Sequence, residues 1–475
     1  MARINTNVSA LTARRNLNAA YRSLNGTLEH LSTGLRISRG KDDPAGLIVS
    51  ERLRTEIGSV GQALSNTQRA KLIVSTAEGA LDEVASLLKD IQQKIVEAAN
   101  RGAFSDDELR ANQLQIDSAI DSITRIANTT SFAGRKLLDG SLAYTTSGVN
   151  PAAVRSLRIN ATQFGQLPNM PVDVRVVRPA SQASLSFPFA ALAPGASNVT
   201  IELVGRRGVT TMTFASGTPA STVAKAIIAE ADATGISATL SAGGASGFRL
   251  YSRGYGSKEF VRIRVISRTG NFPTTGGTNG KEDTGTDALA TINGTLAGAD
   301  GNTLTIKNSS IDLELTVAPS AYQTAFTITG GGALFQVGPQ VNTNLQVNLA
   351  IDSVTASRLG NDSVGYLAQI KTGQAFALST QRFHAASLIV DEAIRQISVL
   401  RGRLGSFERN TLETNMNQLG ITQENLTAAE SAIRDADFAY ETSRLARDQI
   451  LVNAGTTVLT LANQTTQSVL RLLGG

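Results

Sequence analysis

The residues that could do chemistry in this chain are few. It holds two histidines, His30 and His384, and no cysteine. Thiol catalysis, Cys-ligated zinc and disulfide scaffolds are therefore excluded together. Each histidine falls within a helical pattern and reads as a packing or surface residue. Asp435 and Asp437 form a carboxylate pair of the kind used in acid–base work. No histidine, lysine or cysteine lies nearby in sequence, so ion pairs with Arg434 or Arg444 are the expected role. Asp106-Asp107-Glu108 stands where a helix should begin, and acids there complement the helix dipole better than they suggest a metal site. Gly330-Gly331-Gly332 and the run Gly243 to Gly247 lack the Lys-Ser/Thr and the strand–helix setting of a phosphate loop, so hairpin turns are expected. No catalytic constellation emerges. We expect no enzyme activity, no cofactor and no metal.

The elements around these residues separate by texture. Over 475 residues, 41% are hydrophobic, 17% charged and only 5% aromatic, without Trp, so cores must be built from Leu, Ile, Val and Ala. The net charge of +5 is scattered, with pairs such as Arg14-Arg15 but no basic block; a solvated face is expected and nucleic-acid binding is not. No stretch reaches the length of a membrane-spanning helix, and no membrane insertion is expected. The N-terminus lacks the apolar region of a cleaved secretion signal, so composition alone points to the cytoplasm.

Residues 1–140 and about 360–475 are rich in Leu, Ala, Asn, Gln, Arg and Glu, with Pro44 as the only proline. Leu17, Ala20, Leu24, Leu28, Leu31 and Leu35 recur at helical spacing and form a seam that must pack on another helix. Asp43 is a good N-cap and Pro44 a good first residue for a second helix to about Asn100. A loop then leads to a third helix from about Asp106 to Asn128. Near the other end, one helical stretch is expected from about Val364 to Arg403 and another from about Phe407 onward. In the latter, Leu451, Ala454, Val458, Leu461, Thr465, Ser468 and Leu472 keep a 4,3 alternation. A second stripe, Ile450, Leu459, Ala462, Val469, Leu470 and Leu473, lies beside it. A helix so widely apolar is either buried or awaits partners. We expect both ends to order on association, where burial offsets the ordering entropy.

The middle, about 141–355, is dense in Gly, Thr, Ser and Val and holds the other prolines. Alternating runs near 199–203, 209–214, 248–251 and 260–266 predict strands, with a helical patch from Thr222 to Ala233. A looser β pattern recurs near 289–337. The Gly/Thr-rich stretch 269–286 reads as a linker between modules at about 150–268 and 287–350. The fold class is thus α+β, with helical ends forming a coiled-coil bundle around a β-rich insert.

Both ends carry motifs that resemble those of the bacterial flagellins. At the N-terminal side these are Ile4-Asn5-Thr6-Asn7-Val8-Ser9-Ala10-Leu11, Leu31-Ser32-Thr33-Gly34-Leu35-Arg36-Ile37 and Lys41-Asp42-Asp43-Pro44-Ala45-Gly46-Leu47. At the C-terminal side they are Ala432-Ile433-Arg434-Asp435-Ala436-Asp437-Phe438, Ala454-Gly455-Thr456-Thr457-Val458-Leu459 and Val469-Leu470-Arg471-Leu472-Leu473. The resemblance implies a structural subunit of the extracellular flagellar filament, exported unfolded by the flagellar type III apparatus and polymerised through its terminal helices for motility. It reverses the cytoplasmic reading. It also implies a domain plan: an inner helical domain from 1–40 and 433–475, a coiled-coil domain from 41–140 and 356–432, and a variable outer region, 141–355. The polymerisation seams would be Leu17, Leu24, Leu28, Leu31 and Leu35 at one end, and Leu451, Ala454, Val458, Leu461, Val469 and Leu472 at the other. Implied partners are further copies of the chain, an export chaperone gripping Ala454 to Leu473, the filament cap protein and the hook–filament junction protein.

In flagellins that the vertebrate Toll-like receptor detects, the position of Asp90 is basic, that of Lys94 apolar and that of Gln115 a glutamate. This sequence departs at all three, so the resemblance implies weak detection. The junction protein is itself the main alternative identity, sharing the N-terminal pattern; Ser105-Asp106-Asp107 is similar to it. The C-terminal signature favours the filament subunit. An inserted enzyme in the middle lacks a zinc motif, and an added adhesive role is a further alternative there.

Overall fold

The computed structural model describes the chain apart from residues 1–5, 101, 103–104, 165–166, 189, 193–197, 241–246, 267–281, 309, 363 and 474–475, and apart from the side chains at 466, 467 and 469–473. Helices run over Val8–Thr33 (α1), Pro44–Ala99 (α2), Asp106–Thr129 (α3), Ala220–Ala229 (α4), Phe383–Phe407 (α5), Thr414–Arg434 (α6) and Phe438–Leu473 (α7). The architecture is α+β. It divides into two compact bodies, one of residues 1–69, 336–341 and 409–475, the other of 70–335 and 342–408.

The long α2 shows why these ends are helical. Along it, Val60, Ala63, Thr67, Ala70, Val74, Ala77, Leu81, Val84, Leu88, Ile91, Ile95 and Ala98 are buried, none of these more than 2% exposed. They alternate by three and four without interruption, which is the heptad seam of a coiled coil. Asp43 caps the start, accepting the Gly46 N–H at 2.8 Å, and Pro44 takes the first position, where no N–H is needed. In the second body, α2 meets α5 through Gln92 Nε2 donating to Ser387 Oγ at 2.8 Å and an Arg401–Asp82 ion pair at 2.8 Å. The α5 seam, Ala386, Val390, Ala393, Ile397, Leu400 and Leu404, keeps the same alternation and is buried. Ser105 and Glu108 close a reciprocal capping box at the start of α3, so the acidic cluster serves the helix end.

Three expectations about helix bounds need correction. No described residue from 360 to 381 is α-helical. Strands Gly360–Asn361 and Gly365–Tyr366 pair, and 3₁₀ turns follow at Leu367–Ile370 and Leu378–Thr380. Gly360, Gly365, Gly373 and Gln381 all take positive φ, which an α-helix cannot continue through. The last helical stretch also breaks, at 435–437. Upstream the chain does not stop near Arg403, since α5 runs through a π-helical turn, Glu408–Glu413, into α6.

The middle forms two antiparallel modules, one nested in the other. The inner module has a sheet of Ser184–Phe187, Phe248–Ser252 and Ile236–Leu240, and another of Glu282–Thr284, Phe260–Val265, Val199–Gly205 and Gly208–Phe214. With α4 they bury Phe187 stacked on Phe248 at 4.9 Å, among Ile201, Leu203, Val223 and Ile227. The outer module joins strands from both sides of it. Met170–Arg178 pairs with Leu289–Ile292 and Gln323–Gly331, and Val154–Thr162 pairs with Ile311–Val317. A division at 268 and 287 therefore cuts across paired strands. Of the expected linker, 269–281 lies outside the described residues, and Glu282–Thr284 is a strand of the inner module. Gly330 and Gly331 are not a hairpin turn but the bulged end of the strand Gln323–Gly331, paired with Thr145 and Tyr144, and Gly332 is the bend after it; all three take positive φ, and a Cβ at Gly331 would stand 2.3 Å from the Ala143 carbonyl. The Gly243 run lies mostly outside the described residues.

Candidate assembly interface

In the first body, α1 and α7 pack as an antiparallel pair. On α1 the covered positions are Ala13, Leu17 and Thr27, buried, with Ala20, Leu24 and Leu31 half-buried between them. This is a 4,3 seam, and Leu17, Leu24 and Leu31 belong to it. Leu28 does not; it sits beside the seam at 46% exposed. Leu35 lies past the end of the helix, where it bridges to Asp435.

The face of α7 that meets α1 is not the 4,3 stripe read from the sequence, though Leu459 and Ala462 of the second stripe lie on it. Covered positions are Glu441, Leu445, Asp448, Val452, Gly455, Leu459 and Ala462, again alternating by four and three. Leu451, Ala454, Val458 and Leu461 lie one residue back from successive members of this set, a rotation of about 100°. They point outward, with Leu451 49%, Val458 54% and Leu461 59% exposed. Leu472 and Val469 have side chains outside the described residues. The seam escaped an apolar pattern search because two of its members are carboxylates and one is glycine. Gly455 allows close approach, as a Cβ there would stand 3.1 Å from Leu17 Cδ1. Asn7 Nδ2 donates to the Ala462 carbonyl at 2.8 Å.

Two groups of side-chain polar contacts also cross the seam. Asp448, 1% exposed, accepts the Ser23 hydroxyl at 2.7 Å and the Thr27 hydroxyl at 3.4 Å. His30 Nδ1 lies 2.9 Å from Glu441 Oε1, and Glu441 is 4% exposed. His30 is thus the seam's polar partner and no part of a catalytic set, while His384 is exposed on α5.

The motifs at the mouth of this pair have a shared purpose. After α1, Gly34 turns at φ 72°, and its carbonyl accepts the Ala436 N–H at 2.9 Å. The Arg36 N–H donates to the Arg434 carbonyl at 2.7 Å, so the loops after α1 and α6 zip together. Asp42 accepts N–H groups from Arg39 and Ser38, and those bonds, the Arg39 one foremost, hold its carboxyl below the usual range. The expected ion pairs of Asp435 and Asp437 are absent. Asp435 accepts the Ser431 hydroxyl at 2.6 Å, and Asp437 accepts the Ala439 and Tyr440 N–H groups, capping α7. Arg434 turns instead to Glu51 at 2.9 Å. A helix end satisfied by its own cap leaves neither carboxylate poised for acid–base work.

Asp90 and Gln115 are exposed on α2 and α3, and Lys94 is held by Glu97 at 2.8 Å. In the second body, a broad cleft is lined by charges that mostly neutralise one another, among them Arg206 with Glu259 and Arg395 with Glu392. Among the described residues no group of three or more His, Cys, Asp or Glu could hold a metal ion, and no helix is long and apolar enough to cross a membrane.

Comparison with known proteins places both ends of the chain in one family. The model of the bacterial flagellin N-terminal helical region matches residues 4–143, and that of the C-terminal helical region matches 388–473. The B-type flagellin of Pseudomonas aeruginosa is 30% identical over 99% of this chain and 99% of its own. Flagellin E of Vibrio cholerae is 30% identical over 99% and 98%, and the flagellin of Clostridium tyrobutyricum 29% identical over 98% and 100%. With matches at both ends and relatives aligned along almost the whole length, the chain belongs to the bacterial flagellin family, the structural subunits of the extracellular flagellar filament.

Proposed function

We infer that this filament subunit polymerises through the outward faces of α1 and α7. The observation that carries this is the stripe Leu451, Val458 and Leu461, which stays exposed although the helix bearing it is already packed on its other side. Val8, Leu11, Tyr21 and Leu28 continue an exposed apolar surface on α1. Surfaces of this kind are what a second copy buries on association. Leu17, Leu24 and Leu31 then serve within the subunit, while Leu28, Leu451, Ala454, Val458 and Leu461 serve between subunits.

The finer assignments follow from the same reading. Segments 1–40 and 433–475 make the inner helical domain, 41–140 and 356–432 the coiled-coil domain, and 141–355 the outer region. The chain travels unfolded through the type III export channel, an export chaperone takes the region Ala454 to Leu473, and assembly proceeds between the junction protein and the cap. Sedimentation tests the core of this. Full-length protein should pellet as polymer, and chains lacking about 40 residues at either end should stay in the supernatant. Equal pelleting by the truncated chains would overturn the assignment.

A further inference from the structure

The strand Gly208–Phe214 ends one sheet of the inner module. That sheet runs from Glu282–Thr284 through Phe260–Val265 and Val199–Gly205 to Gly208–Phe214, so among the described residues this strand is paired on one side only. Its pairing covers all 7 residues without a bulge, from Val199 with Phe214 to Gly205 with Gly208. A two-residue turn, Arg206-Arg207, joins the two strands, and in such a hairpin the pairs alternate from a hydrogen-bonded one at the turn. Gly208, Thr210, Met212 and Phe214 therefore bond back to the sheet. Val209, Thr211 and Thr213 turn their N–H and C=O groups outward, and no backbone bond to these groups occurs among the described residues. Their side chains are exposed too, Val209 by 58%.

Proteins blunt such edges with charge, proline, a bulge or a very short strand. The sequence Gly-Val-Thr-Thr-Met-Thr-Phe has none of these. The opposite edge of the same sheet is blunted. Glu282–Thr284 is 3 residues long and carries two acids, and Asp283 accepts the Ser184 N–H at 2.7 Å. An unblunted edge takes up another strand, and its pattern selects which. An antiparallel partner must bring its own outward groups to Val209, Thr211 and Thr213. A second copy of the same strand does so when Thr211 faces Thr211. Val209 then meets Thr213 and Thr210 meets Met212, which lines the exposed face with β-branched pairs and sets no charge within the paired stretch. Arg207 falls opposite Ala215, away from its own copy.

We propose that Gly208–Phe214 is a contact between copies of this chain, made by antiparallel edge-to-edge pairing about a two-fold axis at Thr211. It joins the inner modules of two copies and is a second contact, separate from the helix faces assigned to polymerisation above.

The absence of cysteine makes this pairing directly measurable. Residues facing across a hydrogen-bonded antiparallel pair stand about 5.5 Å apart at Cα, within disulfide span. Thr211→Cys should therefore link two copies. Val209→Cys, exposed on the same face but facing Thr213, should not. In concentrated full-length chain under mild oxidation, we expect at least tenfold more disulfide dimer from Thr211→Cys than from Val209→Cys. The double variant Val209→Cys/Thr213→Cys should link as well as Thr211→Cys. Adding Val209→Glu and Thr213→Glu to Thr211→Cys sets carboxylate against carboxylate across the pair, on exposed side chains that the fold does not need. Those two changes should cut the dimer at least fivefold while the thermal unfolding midpoint stays at the parent value. Equal yields from the two single-cysteine chains, no dimer from Thr211→Cys, or a yield untouched by the glutamates would overturn the pairing. Pelleting of the unsubstituted chain reports separately on the assembly reading, which stands or falls without this contact.

Discussion

Tyr144 shows how much one half-buried polar side chain can carry in a protein with few aromatics. Its ring tilts against Phe164 at 6.2 Å, and its hydroxyl accepts the Thr162 N–H at 2.9 Å. Burial pushes its pKa up from 10.0 to about 12. The folded chain then keeps a proton that the unfolded chain gives up. Stability from this group is full below pH 10 and is lost as pH rises through about 12. Tyr144→Phe should cost roughly 1 kcal/mol at pH 7 by orphaning the Thr162 N–H. Its deficit should shrink or reverse at pH 11, read as urea midpoints against the parent chain; a deficit that stays constant would contradict the titration. At the same scale, Asp90 bears on the proposed receptor reading. Its exposed carboxylate would place the wrong sign of charge at an interface hot spot. Reporter cells should respond at least tenfold less than to an enteric flagellin, and Asp90→Arg should recover part of the response. Equal potency of the unsubstituted chain would contradict this.

Among elements, α2 is the most stringent. Leu81 is fully buried in its seam, so Leu81→Ala should cost about 2–5 kcal/mol. Leu72, on the same helix and 57% exposed, should cost under about 0.5 kcal/mol in the soluble chain. Thermal unfolding of the two variants side by side checks the contrast. The helices themselves were legible in the sequence because their periodicity and the Asp43-Pro44 cap are local signals. The interface was legible only in part. Counting apolar residues picks Leu451, Val458 and Leu461, the face left over, and passes by Glu441, Asp448 and Gly455, the face in contact. Nothing local marks a carboxylate as a seam residue; only its partner hydroxyls, more than four hundred positions away, do so. The turns at 360–381 were missed for a related reason, since glycines spaced along an Ala- and Leu-rich stretch read as tolerated rather than as required at positive φ.

For the whole molecule, the strands of the middle were legible singly from their alternation, but their nesting was not. The inner module is inserted between strands that pair with each other, and pairing across so long an insertion leaves no trace in local pattern. The same holds for the ends, which meet although they are the most distant parts of the chain. That meeting leaves α7 packed on one face and apolar on the other. The central claim is that the second face is for neighbouring subunits. It is tested most directly by sedimentation of the full-length chain carrying Leu451→Ser, Val458→Ser and Leu461→Ser together, with circular dichroism to confirm that helicity is retained. We predict that the unsubstituted protein pellets as filaments and that the triple variant remains soluble at the same concentration. If the triple variant pellets as completely as its parent, the outward stripe does not hold the filament together.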